Sequence, residues 1–73
     1  MTASAHLLLQ TDPGRAEDVA AHVGALAVVI EAMVTSGPYD VIATLGPDVD
    51  VPHALAQVKR APGLTRLCVC RPA

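Results

Sequence analysis

Val28-Val29-Ile30-Glu31-Ala32-Met33-Val34-Thr35-Ser36-Gly37-Pro38-Tyr39-Asp40-Val41-Ile42-Ala43-Thr44-Leu45 holds the strongest structural signal in the chain. Two apolar runs rich in β-branched residues flank a turn. Val28 to Thr35 predicts one strand and Asp40 to Leu45 a second, with the turn from Ser36 to Tyr39 making them a hairpin. Pro38 restricts the backbone of that turn, so the side chains beside it are held in place. Tyr39 is the only aromatic residue in the chain, which has no Phe and no Trp. The core is therefore expected to be aliphatic, and the one aromatic ring stands in a connecting segment, where binding chemistry is commonly carried on a rigid scaffold.

N-terminal to the hairpin, His6 to Gln10 predicts a strand. Asp12-Pro13-Gly14 then opens a helix, with Asp12 as N-cap and Pro13 in the first turn. Ala16, Val19, Ala20 and Val23 recur at helical spacing, and Gly24 stops the pattern. Beyond the hairpin, Gly46-Pro47-Asp48 breaks the chain. Asp50 caps a second helix whose stripe is Val51, Ala54, Leu55 and Val58. Lys59 and Arg60 suit the negative end of its dipole. Pro62-Gly63 ends it, and Leu64 to Cys70 predicts the last strand. The two halves are similar strand–helix–strand units offset by roughly thirty-five residues, a weak internal repeat. The order βαββαβ fits a single ferredoxin-like α+β domain over 1–73, a four-stranded antiparallel sheet with two helices on one face.

Strand side chains alternate between faces. With uninterrupted alternation, Leu7, Leu9, Val28, Ile30, Ala32, Val34, Val41, Ala43, Leu45, Leu67 and Val69 pack under the helices. The opposite face then carries His6, Leu8, Gln10, Val29, Glu31, Met33, Thr35, Ile42, Thr44, Arg66, Cys68 and Cys70. On it, Leu8, Val29, Met33 and Ile42 form an exposed apolar patch of the kind that marks an interface. Seventy-three residues bury too little surface to be robust without some staple, and no disulfide framework or metal cluster stands out. The expected staple is a homo-oligomer, a homodimer or larger, through this face.

Composition excludes several classes. Five Lys and Arg against seven Asp and Glu leave a formal charge of −2, without the basic stripe that direct nucleic-acid binding requires. No apolar run reaches membrane-spanning length. The start Met1-Thr2-Ala3-Ser4-Ala5 lacks a signal peptide's basic and apolar regions. The expectation is a cytoplasmic protein without membrane attachment.

The chemistry-bearing residues are sparse. Cys68 and Cys70 share a strand face and read as buried structural thiols. His6, His22 and His53 fall on a strand, the first helix and the second helix, with no common face to gather a metal. Asp48 and Asp50 read as turn and cap residues. No catalytic residue, metal site or cofactor is expected. The turn itself has two readings. Gly37-Pro38 is ordinary turn chemistry, with Tyr39 packing and Asp40 bonding local backbone; or the turn is a ligand site.

At this turn the chain resembles the effector-binding domain of the Lrp/AsnC family of regulators. The likeness covers about Ala5 to Cys70 and rests on three segments. They are Asp12-Pro13-Gly14 before the first helix, the Gly-x-Tyr-Asp turn Gly37 to Asp40, and Pro62-Gly63-Leu64 before the last strand. Two departures stand beside it. Leu26-Ala27-Val28 replaces the Pro-Gly-Val usual before the second strand, and no helix-turn-helix DNA-binding domain is present, as in a stand-alone form. The resemblance implies an amino-acid effector site at a subunit interface. Carried over, Gly37 allows close backbone approach, Asp40 pairs with a ligand ammonium group, Tyr39 walls the pocket or donates a hydrogen bond, and Thr35 and Ser36 add hydroxyls.

The function expected is thus small-molecule sensing without catalysis, with a full-length Lrp/AsnC regulator as a candidate partner through which transcription is modulated. Two alternatives stay open. One is a small dimeric α/β-barrel enzyme, monooxygenase-like, against which the aliphatic helix-facing set counts. The other is a purely structural oligomerisation module. An ACT-like amino-acid-binding domain shares the fold and ligand class but not the Gly-x-Tyr-Asp turn.

Overall fold

The computed structural model describes residues 3–72. Its elements are β1 (Ala5–Thr11), α1 (Ala16–Gly24), β2 (Val29–Val34), β3 (Val41–Leu45), α2 (Val51–Val58) and β4 (Leu64–Cys70). The four strands form one antiparallel sheet in the order β2-β3-β1-β4, so β1 lies between β3 and the last strand. This is the expected ferredoxin-like α+β fold.

Apolar side chains on the helix-facing side of the sheet meet the helix stripes. Leu7, Leu9, Val41, Ala43 and Leu45 from β1 and β3 are fully buried, with Val19 and Val23 of α1 and Ala54 and Val58 of α2. Leu67 and Val69 of β4 are half-buried against this cluster. Every buried side chain among the described residues is apolar. Truncating one of the buried leucines to alanine costs about 2–5 kcal/mol, a large fraction of what a domain this size has to lose.

The helix starts differ from each other. Asp50 caps α2 as expected, its Oδ1 accepting from the His53 N–H at 3.5 Å. Asp12 does not cap α1, contrary to the sequence reading. The Arg15 N–H instead bonds the Asp12 carbonyl at 3.0 Å, closing a turn with Gly14 at φ +79°, and α1 begins at Ala16 with Arg15 at its N-cap and no side-chain cap. A second backbone bond, Asp12 N–H to the Gly63 carbonyl at 2.8 Å, ties this turn to the loop before β4. Gly63 has φ +95°, and a Cβ there would lie 2.9 Å from the Cβ of Arg15. The two Pro-Gly loops therefore pack against each other at one end of the sheet.

The face assignment of β2 needs correction in its first half. Val29 pairs with Leu45 and Glu31 with Thr44, so Ile30 is an extra residue opposite no partner. Such a bulge inserts one residue and breaks the alternation. Val29, expected on the open face and at an interface, is turned inward and only 8% exposed. Ile30, expected under the helices, is 64% exposed. After the bulge the expected parity holds: Ala32 and Val34 pair with Ala43 and Val41, Met33 with Ile42. Val34 ends an edge strand and remains 49% exposed, so helix-facing parity alone does not bury it.

Candidate functional site

The open face of the sheet reads as rows of side chains across the strands. One row is Glu31, Thr44, His6 and Cys70, following the pairs Glu31–Thr44, His6–Thr44 and His6–Cys70. The next is Met33, Ile42, Leu8 and Cys68, and beyond it Gln10 faces Arg66. A mostly apolar row is thus flanked by polar ones. Met33 is 43% exposed, while Leu8 and Ile42 are half-buried. Three of the four expected interface residues, Leu8, Met33 and Ile42, lie side by side here; Val29 does not, because of the bulge.

His6 and Cys70 are brought together although sequence spacing gave no sign of it, since only the β1–β4 register makes them neighbours. The His6 Nδ1 lies 3.2 Å from the Thr44 hydroxyl. Cys70 is exposed and Cys68 half-buried, so the reading of both as buried thiols is corrected. No group of three metal-ligating side chains gathers among the described residues.

The hairpin loop from Thr35 to Asp40 is fastened rather than free. The Thr35 N–H donates to the Asp40 carbonyl at 2.8 Å, closing the loop's neck. The Thr35 hydroxyl donates to the Tyr39 carbonyl at 2.9 Å. Gly37 has φ +137°, a backbone conformation that favours glycine. Three further bonds clamp the loop to the end of β1. The Asp40 N–H donates to the Leu9 carbonyl at 2.8 Å, the Gln10 side-chain amide donates to the Pro38 carbonyl at 2.8 Å, and Asp40 Oδ2 accepts from the Thr11 N–H at 2.8 Å. The Thr11 hydroxyl sits 3.4 Å from the same oxygen.

The bond to the Thr11 N–H has a specific cause. Thr11 lies beyond Leu9–Val41, the last β1–β3 pair, and its N–H points to that side, where the strand ladder has already ended. A backbone N–H past the end of a ladder still needs an acceptor, and the Asp40 carboxylate supplies it. Asp40 is therefore a latch between the hairpin and β1. A carboxylate in a turn commonly bonds a backbone N–H of its own segment; here the partner is 29 residues away in sequence, beyond what local pattern reveals.

Of the residues expected to bind ligand, Thr35, Ser36, Gly37, Tyr39 and Asp40 lie together in this loop. Thr35 spends its hydroxyl inside the loop. The Ser36 hydroxyl, the Tyr39 phenol and Asp40 Oδ1 have no hydrogen-bond partner among the described residues. Tyr39 is half-buried and Ser36 exposed. The fastened loop carries two hydroxyls and one carboxylate oxygen at an end of the sheet, with Pro38 bonded to Gln10 of the open face. Such a set can receive an ammonium group and donate to a carboxylate.

No family model matches the chain, and no curated protein matches it in sequence. Solved structures do match it over nearly its whole length. Hypothetical protein PHS023 from Pyrococcus horikoshii superposes with a TM-score of 0.86 at 23% identity, covering 99% of this chain and 90% of that one. FFRP-DM1 superposes with a TM-score of 0.85 at 23% identity, covering 99% and 100% of the two chains. TTHA0845 from Thermus thermophilus gives 0.78 at 18% identity, covering 99% and 96%. At these identities the likeness is one of fold. No helix of the described residues is long and apolar enough to cross a membrane.

Proposed function

We propose that this chain is a non-enzymatic effector-binding and oligomerisation domain of the Lrp/AsnC type. It senses an amino acid or related metabolite and modulates transcription through a partner regulator. The observation that carries the reading is the Gly37-Pro38-Tyr39-Asp40 loop, latched to β1 at the edge of a partly apolar open face, with polar groups that have no partner among the described residues. A fold shared with FFRP-DM1 over the whole of both chains supports it. The all-apolar core supports it against the enzyme alternative, which needs polar groups between helices and sheet. In this reading Leu8, Met33 and Ile42 join subunits in a homodimer or larger assembly. Asp40 Oδ1 receives the effector's ammonium group, the Ser36 hydroxyl donates to the effector's carboxylate and Tyr39 walls the pocket, while Thr35 and Gly37 shape the loop.

The test is thermal denaturation with each of the twenty amino acids in turn. A ligand at ten times its Kd stabilises the folded state by about 1.4 kcal/mol, which in a domain of this size raises Tm by about 5–10 °C. We expect such a rise with at least one amino acid, and its loss in a Ser36→Ala, Tyr39→Phe double variant that keeps its native mass. An oligomer stabilised by none of the twenty would leave the structural-module alternative standing instead.

A further inference from the structure

On the helical side of the molecule, a cleft of about 450 Å³ is lined by His22, Ala25, Leu26, Ala27, Gln57 and Arg60, from the C-terminal parts of α1 and α2 and the residues after them. That volume is in the range of small-ligand sites, roughly 300–1,000 Å³. Its polar side chains are an imidazole, a carboxamide and a guanidinium, and none is acidic. The only ion pair among the described residues is Arg15–Asp18, so Arg60 is not neutralised by a carboxylate.

Helix C-termini ordinarily repel anions through their free carbonyls. Here much of that negative end is capped. The carbonyls of Ala21 and Val23 accept from the N–H groups of Ala25 and Leu26, and those of Leu55, Gln57 and Val58 from Lys59, Arg60 and Ala61. The Gln57 amide nitrogen is held 3.3 Å from the His53 ring, which orients it on the exposed surface of α2. The room in the cleft comes from Ala25 and Ala27, whose short side chains leave an apolar patch with Leu26.

We propose that this cleft binds a small metabolite through an oxyanion, a carboxylate or a phosphate. The oxyanion sits on Arg60 and His22, and a short apolar body rests on Ala25 to Ala27. Arg presents a planar fork that matches such oxyanions in two parallel hydrogen bonds. The site is separate from the hairpin loop and from the open sheet face, and it stands whether or not those bind an effector.

The test is an NMR titration of the full, isotope-labelled chain, following backbone amides while isovalerate, its neutral amide isovaleramide, and inorganic phosphate are added separately. The expected result is saturable shifts confined to His22, Ala25 to Ala27, Gln57 and Arg60 with isovalerate or phosphate, and none with isovaleramide. Saturation by isovalerate alone assigns a carboxylate ligand; saturation by phosphate alone assigns a phosphate ester. Arg60→Gln weakens binding at least about tenfold, and Ala27→Leu, at an exposed position, fills the cleft and abolishes binding with the native spectrum retained. Equal shifts with isovaleramide, unchanged affinity in Arg60→Gln, or no saturable shift with either anion overturns the proposal.

Discussion

Replacing Asp40 by alanine removes the acceptor from the Thr11 N–H at 2.8 Å and the weaker 3.4 Å contact with the Thr11 hydroxyl. Both bonds are partly buried. A hydrogen bond to a charged group contributes about 1.5–3 kcal/mol, and a buried N–H left without a partner adds the cost of its lost hydration. Partial exposure lets water take up some of that loss, so the expected destabilisation is about 2 kcal/mol. In a domain of this size that lowers Tm by roughly 8–16 °C. Asp40→Asn keeps a carbonyl oxygen in the same place and loses only the charge, so it costs about 1 kcal/mol or less. Thr11→Ala loses the long contact and the hydroxyl's exposed 3.2 Å bond to the Asp12 carbonyl, which water replaces, and stays near the parent. The assay is urea or thermal denaturation of the three variants side by side. If Asp40→Ala unfolds with the parent, the latch carries no stability and the description of the loop as fastened is wrong. The result also bears on ligand work: a loss of binding in Asp40→Ala mixes a missing ligand contact with a loosened loop, whereas Asp40→Asn separates them.

The bulge at Ile30 is tested by a pair of charge insertions. Ile30→Lys folds with stability close to the parent, whereas Val29→Lys buries a charge among Leu45 and its neighbours and costs several kcal/mol, read by denaturation; the reverse order restores uninterrupted alternation in β2. Gly63→Ala combines a φ of +95° with a 2.9 Å approach to the Cβ of Arg15, and we expect a loss of about 1–3 kcal/mol. Gly46→Ala, where a Cβ would meet the Ile30 Cγ2 at 3.3 Å, should cost less because the exposed Ile30 side chain can give way. Circular dichroism melts of the two variants check this.

Most of the element order was legible because it rests on short-range signals. Leu64 to Cys70 forms a strand over the expected residues, α2 begins at its Asp50 cap, and the Val19–Val23 and Ala54–Val58 stripes face the core as their spacing requires. What escaped the sequence depends on register. Val28-Val29-Ile30 offers three adjacent β-branched residues with no polar partner to set the parity, so the bulge left no local trace. The rows of the open face, including the meeting of His6 with Cys70, depend on how β1 slides against β4. The latch from Asp40 to Thr11 depends on where the pairing of β1 with β3 ends, between strands a helix and a hairpin arm apart. Asp12 carried a good cap signal, but Gly14 at positive φ turned the chain before the helix could begin there. The hairpin loop was visible as a binding candidate from its lone Tyr and its Asp, while its internal bonding was not.

At the heart of the functional reading, copies of this chain assemble through the open sheet face and an effector acts on the assembly. Sedimentation of the purified chain and of Ile42→Lys, each with and without a mixture of the twenty amino acids, addresses both halves at once. The expected result is a homo-oligomer whose mass shifts with the mixture, and a monomer for Ile42→Lys, since a charge in the middle of the apolar row opposes its burial. A parent chain that stays monomeric at micromolar concentration with the mixture present would refute it.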